Sequence, residues 1–539
     1  MIQSIIIITP LGNHAVAFDA DYSFKLTINL SLFDLSDFNS FDIKITFSDS
    51  VSEFRDHDYT WKKCTKAYIA NQFIPKIIKL QNGQLVQANL TDGIWEINHK
   101  TPKILFWRFN PEISSPITNY LGNENRKTIS SANQKFDFKA NPTLLFPKKE
   151  AVEFSRSKKP FTAVACFTDH CDFDTAENLT LQRKFFKKHQ IKITKGFFLN
   201  HFSKREDNAS FQNQKEELLK WNEDGHELCY HSLSQSIKPD TESFADFSQF
   251  VPPLNDMKVW IDHGFQPYNF SLIKNKNFNE NQFEEILYKK QINTLWNYID
   301  SGTATNGVLN QFNTTHFTLS SFLKGNKNQG LIKKMQLMIK NIIFHYYNEE
   351  DLILKYKNAA SNFKKVFFQK KTKSILHLAK DVFKLSISVF SVFLFWNTNK
   401  TRPYKLAKYS PILFKHSIAE KDFYIFQTIE MLDFKKSLSQ QNIQSLISEK
   451  GVFIAHTYFS VPMEYHVGRL FSTPAIIDQK VSENFKYLGA KIKSKDIWNP
   501  TLSELIEYWA NFEKVILDID LNGNICEKSS TGLQRRKVI

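Results

Sequence analysis

Over the first 110 residues, apolar and polar positions alternate with a period of two. The run 22–28 reads Tyr-Ser-Phe-Lys-Leu-Thr-Ile, and 41–47 reads Phe-Asp-Ile-Lys-Ile-Thr-Phe. That period belongs to strands with one buried face. Asn82-Gly83 and Asp92-Gly93 are turn signals, and Ile104 to Trp107 is a further apolar run. Residues 1–150 therefore read as β-rich, with an antiparallel sandwich as the expected form. No catalytic cluster stands there, which leaves a structural or docking module, or a sugar-binding accessory. Phe136 to Pro160, with its prolines and lysines, reads as a connection. Met1-Ile2-Gln3-Ser4 and Ile5–Ile8 lack the basic start and long apolar core of a signal peptide. They read as a strand, and a cytoplasmic location is the default expectation.

From 161 the period switches repeatedly between strand and helix. Ala163–Phe167 is too short and too apolar for anything but a buried strand. Leu179 to His189 carries Leu179, Leu181, Phe185 and Phe186 among basic residues, an amphipathic helix. Lys195–Asn200 is a strand, Lys215–Trp221 a helix closed near Gly225, and His226–Ser232 a strand again. This alternation, with polar residues at the strand ends, predicts α/β architecture: a parallel barrel or a doubly wound sheet. The first strand runs into Asp169-His170-Cys171-Asp172-Phe173-Asp174, three carboxylates and an imidazole within six residues. Such a group is costly to bury unless paired, hydrogen-bonded or metal-bound.

A third pattern occupies about 320–410. Leu331 to Tyr347 is helical, with Leu331, Met335, Met338, Ile339, Ile342 and Ile343 on one broad stripe. Lys364, Lys365, Lys370, Lys371 and Lys373 precede a second helical stretch from Ile375. Its part from Leu385 to Trp396 holds twelve uncharged residues, short of the ~20 that span a bilayer. Lys400, Arg402, Lys405 and Lys408 follow. An apolar helix between basic clusters fits a helix lying in a membrane interface at 364–408. A helical cap packed on the barrel fits it equally. The basic clusters lack interleaved recognition motifs, so nucleic acid is not expected. Beyond it, Lys480–Leu488 and Thr501–Trp509 read as helices, Val515–Ile519 as a closing strand, and Arg535-Arg536-Lys537 as a disordered tail.

Composition changes this picture in three ways. With 50 Phe in 539 residues the chain is too aromatic to be disordered. The formal charge of +15 favours an anionic partner, although an AT-rich genome also loads Lys, Asn, Phe and Ile. The 5 Cys are odd in number and form no CxxC, which argues against a disulfide framework and a Cys-rich zinc site.

Taken in order, several pieces form a constellation. Asp169 to Asp172 is followed by Phe197-Phe198-Leu199, then Gly225-His226-Glu227-Leu228 with His231-Ser232. Trp260-Ile261-Asp262-His263-Gly264, Leu295-Trp296-Asn297-Tyr298-Ile299-Asp300 and Gly451-Val452-Phe453-Ile454-Ala455-His456-Thr457 complete it. This order resembles the NodB-type polysaccharide deacetylases (carbohydrate esterase family 4-like), of which the chain looks like a divergent member. The likeness covers roughly 160–310 and 410–520. It implies a distorted (β/α) barrel over 160–320 and 410–525, with 1–150 in front and 320–410 inserted.

The likeness also implies a hydrolase: removal of an N-acyl group from a sugar in surface-polysaccharide or lipid-linked glycan assembly, with a divalent metal, zinc being the expected one. Asp169 matches the general base, His231 the first metal-binding His, and His456 the general acid. His170 stands where a metal-binding Asp is usual, and Asp172 and Asp174 come later; Asp172 is also a candidate helix cap. Gln235 stands where the second metal-binding His is expected, and a neutral amide is a weak zinc ligand. The ligands are therefore sought among His170, Asp172, His231 and Gln235, with Asp174 or His263 as substitutes. If none serves, the chain is an inactive glycan-binding homologue. Trp260, His263 and Trp296 are the expected substrate contacts, the two Trp having core packing as their other reading. His226, five residues before His231, reads as structural.

Overall fold

The computed structural model describes residues 2–539 except 20–22, 34–37, 122–125, 135–137, 265, 274–278, 301–306, 308, 371–373, 461–468 and 474. Met1, Tyr22, Phe136, Lys371, Lys373 and the side chains of 298–300 lie outside the described residues.

The period-two stretches form two six-stranded antiparallel sheets. One contains Ile2–Thr9, Phe41–Phe47 and Ile104–Phe109; the other contains Val51–Arg55, Ile77–Leu80 and Leu85–Ala88. Alternation decides which face is buried: Phe41, Ile43, Ile45 and Phe47 are buried, and the residues between them are partly exposed. Ile7 and Ile43 from one sheet share a core with Phe54 and Ile78 from the other, as in a sandwich. The stretch expected as a connection is only partly one. Thr143–Leu145 adds a strand to the second sheet, and Ala151–Phe154 pairs with Arg535–Val538.

That last pairing corrects the expectation of a disordered tail. Arg536 Nε lies 2.6 Å from Glu153 Oε1, and its guanidinium sits 3.9 Å from the centre of the Phe161 ring. A basic tail looks disordered only while its acidic partner, some 380 residues earlier, is out of view.

The alternating region closes into a parallel barrel of seven strands: β1 (Ala163–Asp169), β2 (Thr194–Phe198), β3 (Glu227–Ser232), β4 (Val259–Trp260), β5 (Thr294–Asp300), β6 (Lys421–Glu430) and β7 (Val452–Thr457). Pairing of β1 with both β2 and β7 closes it. Helices α1 (Ala176–His189), α2 (Phe211–Glu223), α3 (Asp240–Gln249) and α4 (Glu280–Lys289) follow the first four strands. Along β1, Ala163, Ala165 and Phe167 join the helices' Leu179, Phe186 and Trp221. Val164 and Cys166 point the other way and join Cys229, Ile261, Phe426 and Ile454. This second core is continuous with that of the sandwich through Phe73, Phe312 and Trp509.

Between β5 and β6 lie α5 (Leu331–Asn341), α6 (Glu350–Phe367) and α7 (Ile375–Leu394). No helix among the described residues is long and apolar enough to cross a membrane. After β7 come α8 (Gln479–Lys493) and α9 (Leu502–Trp509); α9 opens on a capping box between Thr501 and Glu504.

Candidate metal centre

The stretch after β1 splits its polar residues between two clusters. Asp169 is the last residue of β1, opposite Lys195 of β2 in the parallel register. Lys195 Nζ binds Asp169 Oδ2, lies 2.5 Å from Asp174 Oδ2 and donates to Gln182 Oε1 at 3.0 Å. Gln182 Nε2 donates to Asp174 Oδ1 at 2.8 Å, and so does Ser460 Oγ at 2.7 Å. All five are buried. Burial lifts the Asp169 carboxyl to about 6, against the pull of Lys195 and with the repulsion of Asp174 added. Burial alone would lower Lys195, but Asp169 and Asp174 outweigh it and hold the ammonium above its ordinary range. Gly196 lets β2 approach here, because a Cβ on it would collide with the Asp169 carbonyl oxygen.

The second cluster lies at the C-terminal ends of the same strands. One ligand atom each from His170, Asp172 and His231 lie within 4.8 Å of one another, a group that can hold a metal ion. His231, near the end of β3, bonds Asp172 Oδ2 through Nε2 at 2.9 Å and the Ile261 carbonyl through Nδ1 at 3.1 Å. A carbonyl on one ring nitrogen fixes the imidazole and leaves the other for a ligand. His170 Nε2 is buried without a hydrogen-bond partner among the described residues. Burial, then the charges of His456, His231 and His263, push the His170 imidazole well below its ordinary value. It is neutral, the form that binds metals. Burial would raise Asp172, but His263 and His231 reverse this and hold it ionised well below the usual carboxylate range. A carboxylate with two imidazoles suits zinc-like divalent ions.

His263 completes the surroundings. Its Nδ1 is 3.3 Å from both Asp172 Oδ1 and His231 Nε2, and its Nε2 donates to the Gln235 carbonyl at 3.1 Å. Gln235 thus meets the cluster through its backbone, while its side-chain amide reaches back to the Ala209 carbonyl at 3.3 Å. Of the substitutes for a second family-type His, His170 is in the group and His263 beside it, whereas Asp174 belongs to the lysine cluster.

His456, on β7, stacks on His170 with ring centres 3.8 Å apart. Trp296, on β5, meets both rings edge-on at 4.7 and 5.0 Å, and its indole donates to Thr428 Oγ1 at 3.0 Å. Trp296 is buried and packs its edge against the two imidazoles. Trp260 is a correction. Its side chain turns to the helix side of β4 and packs with Tyr230, Phe247 and Tyr268, where no substrate reaches it. Period two predicts this: Trp260 and the inward Ile261 are adjacent and must face opposite ways. His226 is also buried; burial lowers it to about 4, and its Nδ1 accepts from the Ile193 amide at 3.2 Å.

Lys195 is the residue that sequence reasoning missed as part of the site region. Its signal was available: a lysine inside a strand whose other residues are buried needs a buried carboxylate nearby. Asp169 stands outside the metal-type group. Beyond Lys195, its other oxygen receives, among the described residues, only long contacts of 3.4 Å each from Thr457 Oγ1 and the Phe459 amide.

No protein-family model matches the chain, and no curated protein matches it. Among solved structures, a xylosidase from Aspergillus niger matches at 11% identity over 57% of this chain and 43% of that one, with a TM-score of 0.19. The chain thus spans less than half of that protein, and a likeness this slight carries no argument.

Proposed function

We propose that the barrel hydrolyses an N-acyl group on a sugar, the activity implied by its likeness to NodB-type polysaccharide deacetylases. The observation that carries the reading is the meeting of His170, Asp172 and His231 at the strand ends, with His456 stacked on the first of them. A divalent ion held by those three residues would supply Lewis acidity toward water and the acyl carbonyl.

The chain's own groups then have proton work. His456 is the group assigned to give a proton to the leaving amine, and the edge-on Trp296 keeps its ring in place. Asp169 is the assigned proton acceptor, through the oxygen that Lys195 leaves weakly engaged. Lys195 is a positioning residue, since it holds the carboxylate and touches no substrate. His263, a quarter exposed, is the substrate-side residue next to the ligands.

The test is metal analysis and acetate release with N-acetylated glycans on the full chain, Asp172→Ala and His231→Ala. The reading predicts about one divalent ion per chain, lost in both variants together with activity. Absence of metal and of activity in all three proteins would leave a glycan-binding homologue instead.

A further inference from the structure

Helix α7 is apolar on two opposite sides, and only one of them is covered. Leu378 and Leu385 pack with Ile343, Leu352 and Ala359, and Val392 enters the main core. Tyr347 fixes this orientation, because its hydroxyl donates to the Ser388 carbonyl at 2.9 Å and meets Ser391 Oγ at 2.8 Å. The other side is bare: Leu376 is 81% exposed, Phe383 68%, Ile387 56%, Phe390 66% and Leu394 63%. These positions recur three, four or seven apart, which is a single face. A bare stripe of this length is not the scatter of single apolar residues that any surface carries.

Charge selects the occupant. From 364 to 408 the sequence holds eleven Lys and Arg against one acid, Asp381. Lys364, Lys365, Lys370, Lys380 and Lys384 are exposed and form no ion pair among the described residues. Lys380 and Lys384 fall at the margin of the bare stripe, one turn apart. From Leu385 to Phe395 no charged residue occurs, and Trp396 follows, stacked on Phe393. The apolar length is too short to span a bilayer, and no helix among the described residues is long and apolar enough to cross one. A second copy of this chain would bring the same positive charge against itself.

We propose that α7 docks on the surface of an anionic bilayer, its Leu376–Leu394 stripe below the headgroups and its lysines against them. Apolar burial and headgroup attraction act together in such helices. The inference does not depend on the deacylase reading, because it uses no residue of the barrel mouth.

Co-sedimentation of the full chain with vesicles of phosphatidylcholine, with and without phosphatidylglycerol, tests it. The wild type should bind anionic vesicles at least about tenfold more tightly than neutral ones. Lys380→Gln with Lys384→Gln should lower that affinity by roughly thirtyfold, at about fivefold per lysine. Phe383→Ser with Phe390→Ser should abolish binding while circular dichroism and the urea midpoint stay unchanged, since both rings are exposed. Wild-type protein left in the supernatant with anionic vesicles overturns the proposal. So does equal binding by both variants, or a lipid-free dimer in sedimentation velocity that the Phe variant dissociates.

Discussion

Two buried ionic clusters grow from one turn, and they are finished differently. Asp169 and Asp174 flank Lys195, with Gln182 bonding Lys195 and Asp174, and Ser460 bonding Asp174. His170, Asp172, His231 and His263 have one carboxylate among three imidazoles, and the buried His170 Nε2 has no hydrogen-bond partner among the described residues. The first cluster has its counter-charge from the chain itself, in Lys195. The second has the donor set of a group that can hold a cation. Asp169 and Asp174, the two ends of a six-residue stretch, feed the first cluster, and His170 and Asp172 between them feed the second, so the local sequence cannot tell which carboxylate meets a lysine and which meets imidazoles; the third dimension does.

The largest expected effect tests the closed cluster. Lys195→Met leaves two buried carboxylates facing each other without a counter-charge. Breaking a buried pair this way costs about 3–5 kcal/mol. The urea midpoint of the variant should fall accordingly, and should be partly restored by adding Asp174→Asn, which removes one stranded charge. A variant as stable as the wild type would mean that the lysine cluster is not what holds β1 to β2.

A second lysine sharpens the point. Lys76 is also buried, but among the described residues its ammonium bonds the Asn71 and Thr91 carbonyls, at 2.9 and 2.5 Å, and no carboxylate. Burial lowers it to about 7, whereas carboxylates raise Lys195. Between about 7 and the ordinary 10.5 the unfolded chain holds a proton that the folded chain lacks, so stability contributed here rises with pH. Asp92, lifted by burial to about 6, acts oppositely: its contribution falls as pH rises from 3.8 to about 6. Together they place a trough near pH 6–7 in the stability profile. Lys76→Met should remove the rising limb, whose slope from one group is at most about 1.4 kcal/mol per pH unit. Urea titrations from pH 5 to 10 would check it, and an unchanged slope would refute it.

The open cluster should respond to ions instead. Zinc at about a hundredfold over its dissociation constant should stabilise the wild type by about 2.7 kcal/mol. His231→Ala should show none of that gain in thermal melts, because it loses one of three ligands.

Strands and helices were legible wherever a period was sustained: β1, α1, β3 and the first sandwich strands stand where the apolar pattern puts them. The strand-end polar residues were legible too, as a cluster of His and Asp on a short segment. Illegible were the pairings across distance. Arg536 finding Glu153, Lys195 finding Asp174, and His263 reaching past Gln235 all depend on which strands become neighbours. Of the two readings open for Trp260, substrate contact and core packing, alternation with Ile261 selects the second by turning its ring to the helix side.

The smallest predicted effect asks whether His263 belongs to the open cluster or merely borders it. Its Nδ1 is 3.3 Å from Asp172 and from His231, close enough to orient both, yet its other nitrogen is committed to the Gln235 carbonyl. A residue in that position tunes ligands already present. Removing such a neighbour weakens metal binding by about tenfold or somewhat more, without abolishing it. His263→Ala should therefore retain stoichiometric zinc at saturation, with a dissociation constant raised by about that factor in competition with a chelator. Complete loss of zinc, as in His231→Ala, would make His263 a ligand and the site a four-residue one. No change at all would detach it from the metal and leave His170, Asp172 and His231 to hold the ion alone.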